Sequence, residues 1–177
     1  MDVPVLTTAR LRLRPPREAD IPDLVAMLDD WEVVSRLGRV PYPYGVADAR
    51  YFLDVVVRDE WVWAIIEPPG EAILGTVALT PAAAPGSAEL GYYVARPEWG
   101  RGIATEAAAA VLRHGQAGLG LGEITSGWFA DNPASGRVLA KLGFVETGRG
   151  ERHCLALGAM LPLVRMRLPD AAGGAGA

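Results

Sequence analysis

Two glycines bracket an arginine in Trp99-Gly100-Arg101-Gly102-Ile103-Ala104-Thr105-Glu106-Ala107, directly after a strand-like run and at the opening of a helix-like one. Glycine removes the Cβ where backbone N–H groups must come close to an anion, and a helix N-terminus adds partial positive charge there. The segment is a candidate phosphate cradle, and a plain strand-to-helix turn is the competing meaning of Gly-x-Gly. Two better-known phosphate sites are excluded by inspection. A dinucleotide fingerprint needs Gly or Ala where Thr105 stands, and no G-x-x-x-x-G-K-[ST] occurs, so a nucleoside triphosphate or NAD is disfavoured.

A second segment, Asn132-Pro133-Ala134-Ser135-Gly136-Arg137-Val138-Leu139-Ala140-Lys141-Leu142-Gly143-Phe144, has a helix start and stop written into it. Asp131 or Asn132 caps, Pro133 takes the first position and Gly143 terminates. Groups able to move protons or attack carbonyls are few. Alternation over Ala88–Val94 puts Glu89, Gly91 and Tyr93 on one face, where Glu89 is either a solvated charge or a general base. Glu151 and His153 are further candidates in the stretch after Gly148, read as a loop. His114 suits a helix C-terminus by charge. Cys154 lacks a paired base, because in a strand its neighbour His153 points to the opposite face.

The elements that must carry these residues follow from the period of the apolar positions. Arg10–Arg14 alternates, with Leu11 and Leu13 on one face and the arginines on the other. Glu18–Leu28 has helical spacing with Asp20 as N-cap, Trp31–Leu37 reads as a short helix, and Val46–Asp59 as a third. The period then changes to two, giving strands at Trp61–Glu67, Ala72–Thr80 and Ser87–Val94 joined by short Pro/Gly connections, an antiparallel meander. Trp61 and Trp63 share one face of the first of these strands and read as core packing. A helix at Gly102–Gly115, a strand at Glu123–Phe129, a helix at Ala134–Leu142 and strands at Phe144–Thr147 and Leu163–Leu168 complete the order βαααβββαβαββ. Helices and strands in this order share one core as a mixed sheet with helices on both faces.

Composition narrows the function. The chain has 177 residues, 50% apolar, with a net charge of −4 and a pI of about 5.2, which argues against a phosphate-gripping nucleic-acid module. One cysteine and two histidines argue against a disulfide framework and a clustered metal site. The arginine-interrupted N-terminus does not read as a signal peptide, and no run is apolar enough to span a membrane. A cytoplasmic protein is expected, with one folded domain over residues 6–168 and a disordered tail over 169–177, PDAAGGAGA.

In order and spacing, the glycine segment and the Asn132–Phe144 segment resemble the GNAT acyltransferase superfamily, and within it the branch of ribosomal-protein N-terminal acetyltransferases. Leu6-Thr-Thr-Ala-Arg-Leu-Arg-Leu-Arg-Pro, Ala88-Glu-Leu-Gly-Tyr-Tyr-Val94 and Lys141-Leu-Gly-Phe144 extend the resemblance over residues 6–168. The family's Q/R-x-x-G-x-G/A loop is met by Gly102 and Ala104, with Trp99 in the Q/R position, a departure shared by W-G-x-G-x-A relatives.

The resemblance implies an α+β fold: a single-domain, three-layer α/β/α arrangement whose mixed, mainly antiparallel sheet is splayed between the fourth and fifth strands. It implies that the backbone of Gly100, Arg101, Gly102, Ile103, Ala104 and Thr105 binds the pyrophosphate of acetyl-CoA, that Tyr93 and Val94 pair with the pantetheine arm, and that Asn132 hydrogen-bonds that arm. It implies acetyl transfer to a primary amine by direct attack, with Ser135 as acid toward the sulfur and Glu89 as base through water. An α-amine is roughly one-third neutral near pH 7.5 whereas a lysine-like amine is about 0.1% neutral, so a base matters more for the latter. Residues 28–44 and 149–162 would wall the acceptor site, where Asp29, Asp30 and Glu32 could draw in a cationic amine. The acceptor is either a peptide N-terminus or a small molecule, and the protein a monomer or homodimer without metal, nucleic acid or membrane. The alternative on the same fold is a non-catalytic CoA-binding sensor or partner-binding domain.

Overall fold

The computed structural model describes residues 1–169, so the expected disordered tail lies, apart from Pro169, outside the described residues. Eight strands form one sheet: β1 (Leu6–Thr7), β2 (Arg12–Arg14), β3 (Trp61–Ile66), β4 (Ile73–Pro81), β5 (Ser87–Val94), β6 (Glu123–Phe129), β7 (Val145–Cys154) and β8 (Ala159–Leu168). Their spatial order is β1-β2-β3-β4-β5-β6-β8-β7. Every neighbouring pair is antiparallel except β5 and β6. The helices are α1 (Ile21–Leu28), α2 (Trp31–Val34), α3 (Val46–Tyr51), α4 (Val57–Asp59), α5 (Ile103–Ala117) and α6 (Pro133–Lys141).

The parallel pair is the feature on which the site depends. β5 and β6 pair only at Ser87↔Glu123, Ala88↔Ile124 and Glu89↔Thr125, yet β5 continues to Val94 and β6 to Phe129. Just beyond the last pair, the Leu90 carbonyl accepts from the Ser126 hydroxyl at 2.8 Å, so a side chain replaces a ladder bond. From there the strands diverge, giving the splay between the fourth and fifth strands of the expected order.

Alternation along the strands divides the core in two. On β3, Trp63 and Ile65 join Val77, Leu79, Leu90 and the α5 residues Ile103, Ala107 and Val111 on one side of the sheet. Ala64 and Ile66 join Leu24, Leu28 and Ala49 of α1 and α3 on the other. Helices therefore cover both faces, with period two in the strands matched to period 3.6 in the helices. Ala107, Ala108 and Gly115 keep part of the inner face of α5 small, which lets the helix lie close to the sheet there. A Cβ at Gly115 would stand 2.9 Å from Leu79 Cδ1, too near to fit without a shift. Trp63 is fully buried and its Nε1 donates to the Pro4 carbonyl at 2.9 Å, so it serves as packing with its one polar atom satisfied.

Four expectations are corrected. Arg14 does not face solvent with Arg10 and Arg12. It is buried and forms two hydrogen bonds, 2.7 and 2.6 Å, with buried Asp20. Asp20 accordingly does not cap α1 with its side chain but binds Arg14 and the Arg17 N–H. The third helix is interrupted by a π turn at Phe52–Val56. The last two strands are not four- and six-residue pieces but a ten-residue hairpin arm each, so Glu151 and His153 stand in β7 rather than in a loop. Their polar, glycine-broken sequence hid the strand, because β7 is an edge with little apolar surface to bury.

Candidate active site

The slot between β5 and β6 has two sides. Register places Tyr92 and Val94 with the α5 and α6 side, and Glu89, Gly91 and Tyr93 with the α1 and α3 side. Backbone groups alternate as well. The Leu90 and Val94 carbonyls turn toward the slot, whereas the Tyr93 carbonyl turns into the β4 ladder, where a Cβ on Gly75 would lie 2.2 Å from it. Of the two expected pairing positions, Val94 presents its backbone to the slot, and its carbonyl already accepts from Trp99 Nε1 at 2.8 Å.

At the open end of the slot the chain turns through Trp99–Gly102 into α5. Gly100 and Gly102 have φ of +79° and +78°, the left-handed region that a side chain would strain. A Cβ on Gly100 would meet nothing within 4 Å, and one on Gly102 would meet only the Arg10 guanidinium at 3.7 Å. The N-terminal turn of α5 is thus an open, side-chain-free surface with helix-dipole charge behind it. The Arg101 side chain is turned away, ion-paired with Glu67 at 2.5 Å and with Glu98. Of Arg101 only the backbone, with that of Ile103, Ala104 and Thr105, is left to form the candidate cradle.

A clamp from the N-terminal segment holds this turn. Glu106, in the first turn of α5, accepts from the Thr8 hydroxyl at 2.6 Å, the Arg10 N–H at 3.0 Å and Arg10 Nε at 2.8 Å, while Arg10 Nη2 donates to the Arg101 carbonyl at 3.1 Å. Burial alone would raise the Glu106 carboxyl, but these hydrogen bonds outweigh it and hold it below its ordinary value. A shallow depression of about 450 Å³ lined by Thr8, Arg10, Leu11 and Glu67 lies beside the clamp. On the other side, Arg36 stacks over Trp99, 5.4 Å from the ring centroid, which ties the segment after α2 to the cradle.

Asn132 caps α6, its Oδ1 accepting from the Ser135 N–H at 3.4 Å. That cap fixes Ser135 on the first turn of α6, facing β5. The Ser135 hydroxyl lies 2.9 Å from the Tyr92 hydroxyl, which also lies 3.1 Å from the Ser135 carbonyl. Burial pushes the Tyr92 phenol up to about 12, against an opposing pull from Ser135. Tyr92 was not singled out from the sequence. The available signal was that it alternates with Glu89, Gly91 and Tyr93, and so must face the α6 side. Next to this pair a Cβ on Gly136 would stand 2.7 Å from the Trp128 ring, and the buried Trp128 Nε1 has no partner among the described residues.

On the opposite side, Glu89 accepts from Arg152 of β7 at 2.6 Å, and Arg39 binds buried Glu60 at 2.6 Å beside Thr80. Tyr93 is packed with Tyr44, and burial pushes its phenol up to about 12. Glu151 and His153 alternate with Arg152 and point to the sheet face away from Glu89. Cys154 is fully buried, its thiol donating to the Ser35 and Leu37 carbonyls, and His114 packs edge-on against Trp63. Neither has a role at the slot. The acidic residues expected to attract a cation are engaged: Asp29 accepts from the Tyr44 N–H, Asp30 caps α2, and Glu32 pairs with Arg36. No helix among the described residues is long and apolar enough to cross a membrane.

This architecture recurs in known proteins. Residues 10–145 match the family model described as an acetyltransferase (GNAT) domain. The chain is 29% identical over 150 residues, 82% of its own length and 85% of the relative's, to the uncharacterized N-acetyltransferase YoaA of Bacillus subtilis. Its fold matches the ribosomal-protein-S5-alanine acetyltransferase of Vibrio fischeri with a TM-score of 0.81 at 16% identity, covering 96% and 98% of the two chains. It matches the spermidine N-acetyltransferase of Vibrio cholerae, solved with CoA and spermine, with a TM-score of 0.79 at 20% identity, covering 93% and 98%. The match over most of the chain, on a sheet splayed between β5 and β6 with a glycine turn at its mouth, places this protein in the GNAT family of N-acetyltransferases.

Proposed function

We propose that the protein transfers an acetyl group from acetyl-CoA to a primary amine by direct attack, in the manner of the ribosomal-protein N-terminal acetyltransferase branch. The residues present fit the donor. Gly100 and Gly102 leave an open cradle for a pyrophosphate at the α5 N-terminus, and Trp128 Nε1 is a buried donor awaiting a partner. Acetyl-CoA supplies an activated acyl group on a thiol leaving group. The protein's part is to orient it, admit the amine and handle two protons.

The observation that carries this reading is the placement of two proton-handling groups on opposite sides of one slot. On the α6 side, Ser135 is held by the Asn132 cap and by Tyr92. As the new C–N bond forms and the C–S bond breaks, Ser135 donates a hydrogen bond to the departing sulfur, which leaves as the thiolate and is protonated from solvent. With a leaving-group pKa of about 8.5 the thiolate is tolerable, so this help is modest. On the other side, Glu89 receives the ammonium proton through water. Arg152 occupies its Oε1, which positions the carboxylate and leaves the second oxygen for that task.

The test is thiol release from acetyl-CoA against a panel of amines. Rates that depend on both substrates with intersecting initial-velocity lines support direct attack, and parallel lines would instead require a covalent acyl-enzyme. Loss of turnover in the Ser135→Ala, Glu89→Gln double variant supports the residue assignments, and full activity removes them.

A further inference from the structure

Glycine inside a strand weakens it, because it loses more freedom on folding than other residues and packs nothing. One kept there answers to a bulge, a close neighbour or an approaching ligand. Among the described residues the strands hold five: Gly75, Gly91, Gly127, Gly148 and Gly150. A Cβ on Gly75 would run into the Tyr93 carbonyl, one on Gly127 would stand 3.2 Å from the Val164 carbonyl, and one on Gly150 would stand 2.7 Å from Arg165 Nη2. Gly148 sits at the register shift between β7 and β8. The protein's own packing accounts for these four.

Gly91 has no such reason. The β4–β5 ladder runs without a shift from Gly75↔Val94 to Pro81↔Ala88, so no bulge requires it, and its φ is not positive. A Cβ there would meet nothing within 4 Å, and the residue is exposed although it lies mid-strand in the interior of the eight-stranded sheet. The room belongs to the face from which the amine enters on the reading above. Glu89 and Tyr93 flank Gly91 on that face, and its ladder partner is half-buried Ala78, between Thr80 and Thr76. The space over Gly91 and Ala78 is walled by side chains on both sides and floored by a single methyl group.

Its position along β5 ties this room to the chemistry. The β5–β6 pairing ends at Glu89↔Thr125 and the Ser126 hydroxyl bonds the Leu90 carbonyl, so Gly91 is the first residue of β5 on the amine face past the closed part of the slot. The next residue, Tyr92, turns to the other face and meets Ser135. A nitrogen that reaches the thioester from this face brings the carbon it is attached to past Gly91. An unbranched alkyl amine leaves the room there empty, and an amine on a substituted carbon fills it.

We infer that Gly91 is a specificity-determining residue: it admits an amine borne on a substituted carbon, the α-amine of an amino-acid derivative or of a peptide, with the substituent over Gly91 and Ala78. The inference rests on the acetyl-transfer reading and narrows its acceptor to this class.

The experiment measures kcat/KM for the full chain with two pairs of acceptors that differ by one methyl group on the amine-bearing carbon: alaninamide against glycinamide, and amidated Ala-Gly-Gly against amidated Gly-Gly-Gly. In the wild type the alanine member should lead by about fourfold, the worth of one buried methyl group. The faster pair identifies the source, a small amino-acid derivative or a peptide N-terminus. Gly91→Ala meets no protein atom and should keep both the fold and the rise in thermal midpoint with acetyl-CoA. Its methyl group takes the same room, so the alanine-to-glycine ratio should fall to one or below, and lower still in Gly91→Val. A wild-type ratio of one or below in both pairs, or a ratio unchanged in Gly91→Ala, overturns the inference and leaves acetyl transfer standing. So does a Gly91→Ala effect that falls on butyryl-CoA against acetyl-CoA instead of on the acceptor ratio, which assigns the room to the acyl chain. Turnover of no member by a protein whose thermal midpoint still rises with acetyl-CoA overturns both readings.

Discussion

The hydroxyls of Tyr92 and Ser135 lie 2.9 Å apart, one on β5 and the other on the first turn of α6, with the slot between β5 and β6 beside them. A phenol has one proton to give. When Tyr92 donates to the Ser135 oxygen, the Ser135 proton is free to turn toward a departing sulfur. When Tyr92 donates to the Ser135 carbonyl, the serine proton points back at the phenol. On the proposed mechanism Tyr92 acts through Ser135, as a positioning residue.

Tyr92→Phe should lower kcat about tenfold, the order of one lost hydrogen bond to a charge-developing group, with little change in the KM for acetyl-CoA. Because both residues serve one proton, the Tyr92→Phe, Ser135→Ala double variant should be no slower than Ser135→Ala alone. Steady-state kinetics of the three variants check this. Additive losses would mean that Tyr92 acts independently.

The Arg14–Asp20 pair is a structural counterpart in which burial raises the stakes. Both side chains are nearly inaccessible and joined by two short hydrogen bonds. Asp20→Ala leaves the guanidinium buried without its partner and should cost about 3–5 kcal/mol, read as a loss in chemical denaturation midpoint. The double replacement Arg14→Met, Asp20→Leu should recover much of that loss, since it removes both charges at once.

Glu106 links the clamp to pH. Its carboxyl is held below the ordinary value by Thr8 and Arg10 against the opposing effect of burial, so the folded state keeps it ionised to lower pH than the unfolded chain does. Its contribution is fully present above the unfolded carboxylate pKa of about 4.3 and is lost as pH falls through the lower folded value. The difference in thermal midpoint between wild type and Glu106→Gln should therefore be constant near neutrality and shrink below about pH 4. A difference that grows on acidification would contradict the assignment.

Gly102→Ala tests the cradle. At a φ of +78° a Cβ costs about 1–2 kcal/mol of folding stability, and the same substitution should weaken acetyl-CoA binding by obstructing the α5 N-terminus. Calorimetric titration against Ala104→Gly, a change in the same turn without a positive φ, separates the two effects.

The sequence exposed those parts of the site where local chemistry and local geometry coincide. Gly102 before a helical run, Asn132 before Pro133, and the alternation that puts Glu89, Gly91 and Tyr93 on one face are each short-range facts, and each survives in the structure. What it hid depends on residues far apart in the chain. Arg152 reaching Glu89 is a contact across 63 positions, Arg10 reaching the turn at Arg101 spans 91, and neither leaves a periodic trace. The long β7–β8 hairpin was hidden for a different reason. An edge strand built as Val-Glu-Thr-Gly-Arg-Gly-Glu-Arg-His-Cys has almost no apolar face, so the pattern that marks β3 and β5 is missing. Arg14 reads as one more arginine of a solvated stripe, because Asp20 stands where a helix cap is expected and nothing local marks it as the partner of a buried guanidinium.

Whether the glycine turn and the slot receive acetyl-CoA is read from the thermal midpoint with and without it, with CoA and NAD as comparators. At about 100 times its dissociation constant a ligand stabilises the folded state by roughly 2.7 kcal/mol. For a chain of this size that is a rise of about 5–10 °C. Such a rise is expected with acetyl-CoA and CoA, none with NAD, and a smaller one in Gly102→Ala. A folded protein whose midpoint does not move with acetyl-CoA, or moves equally with NAD, would contradict it.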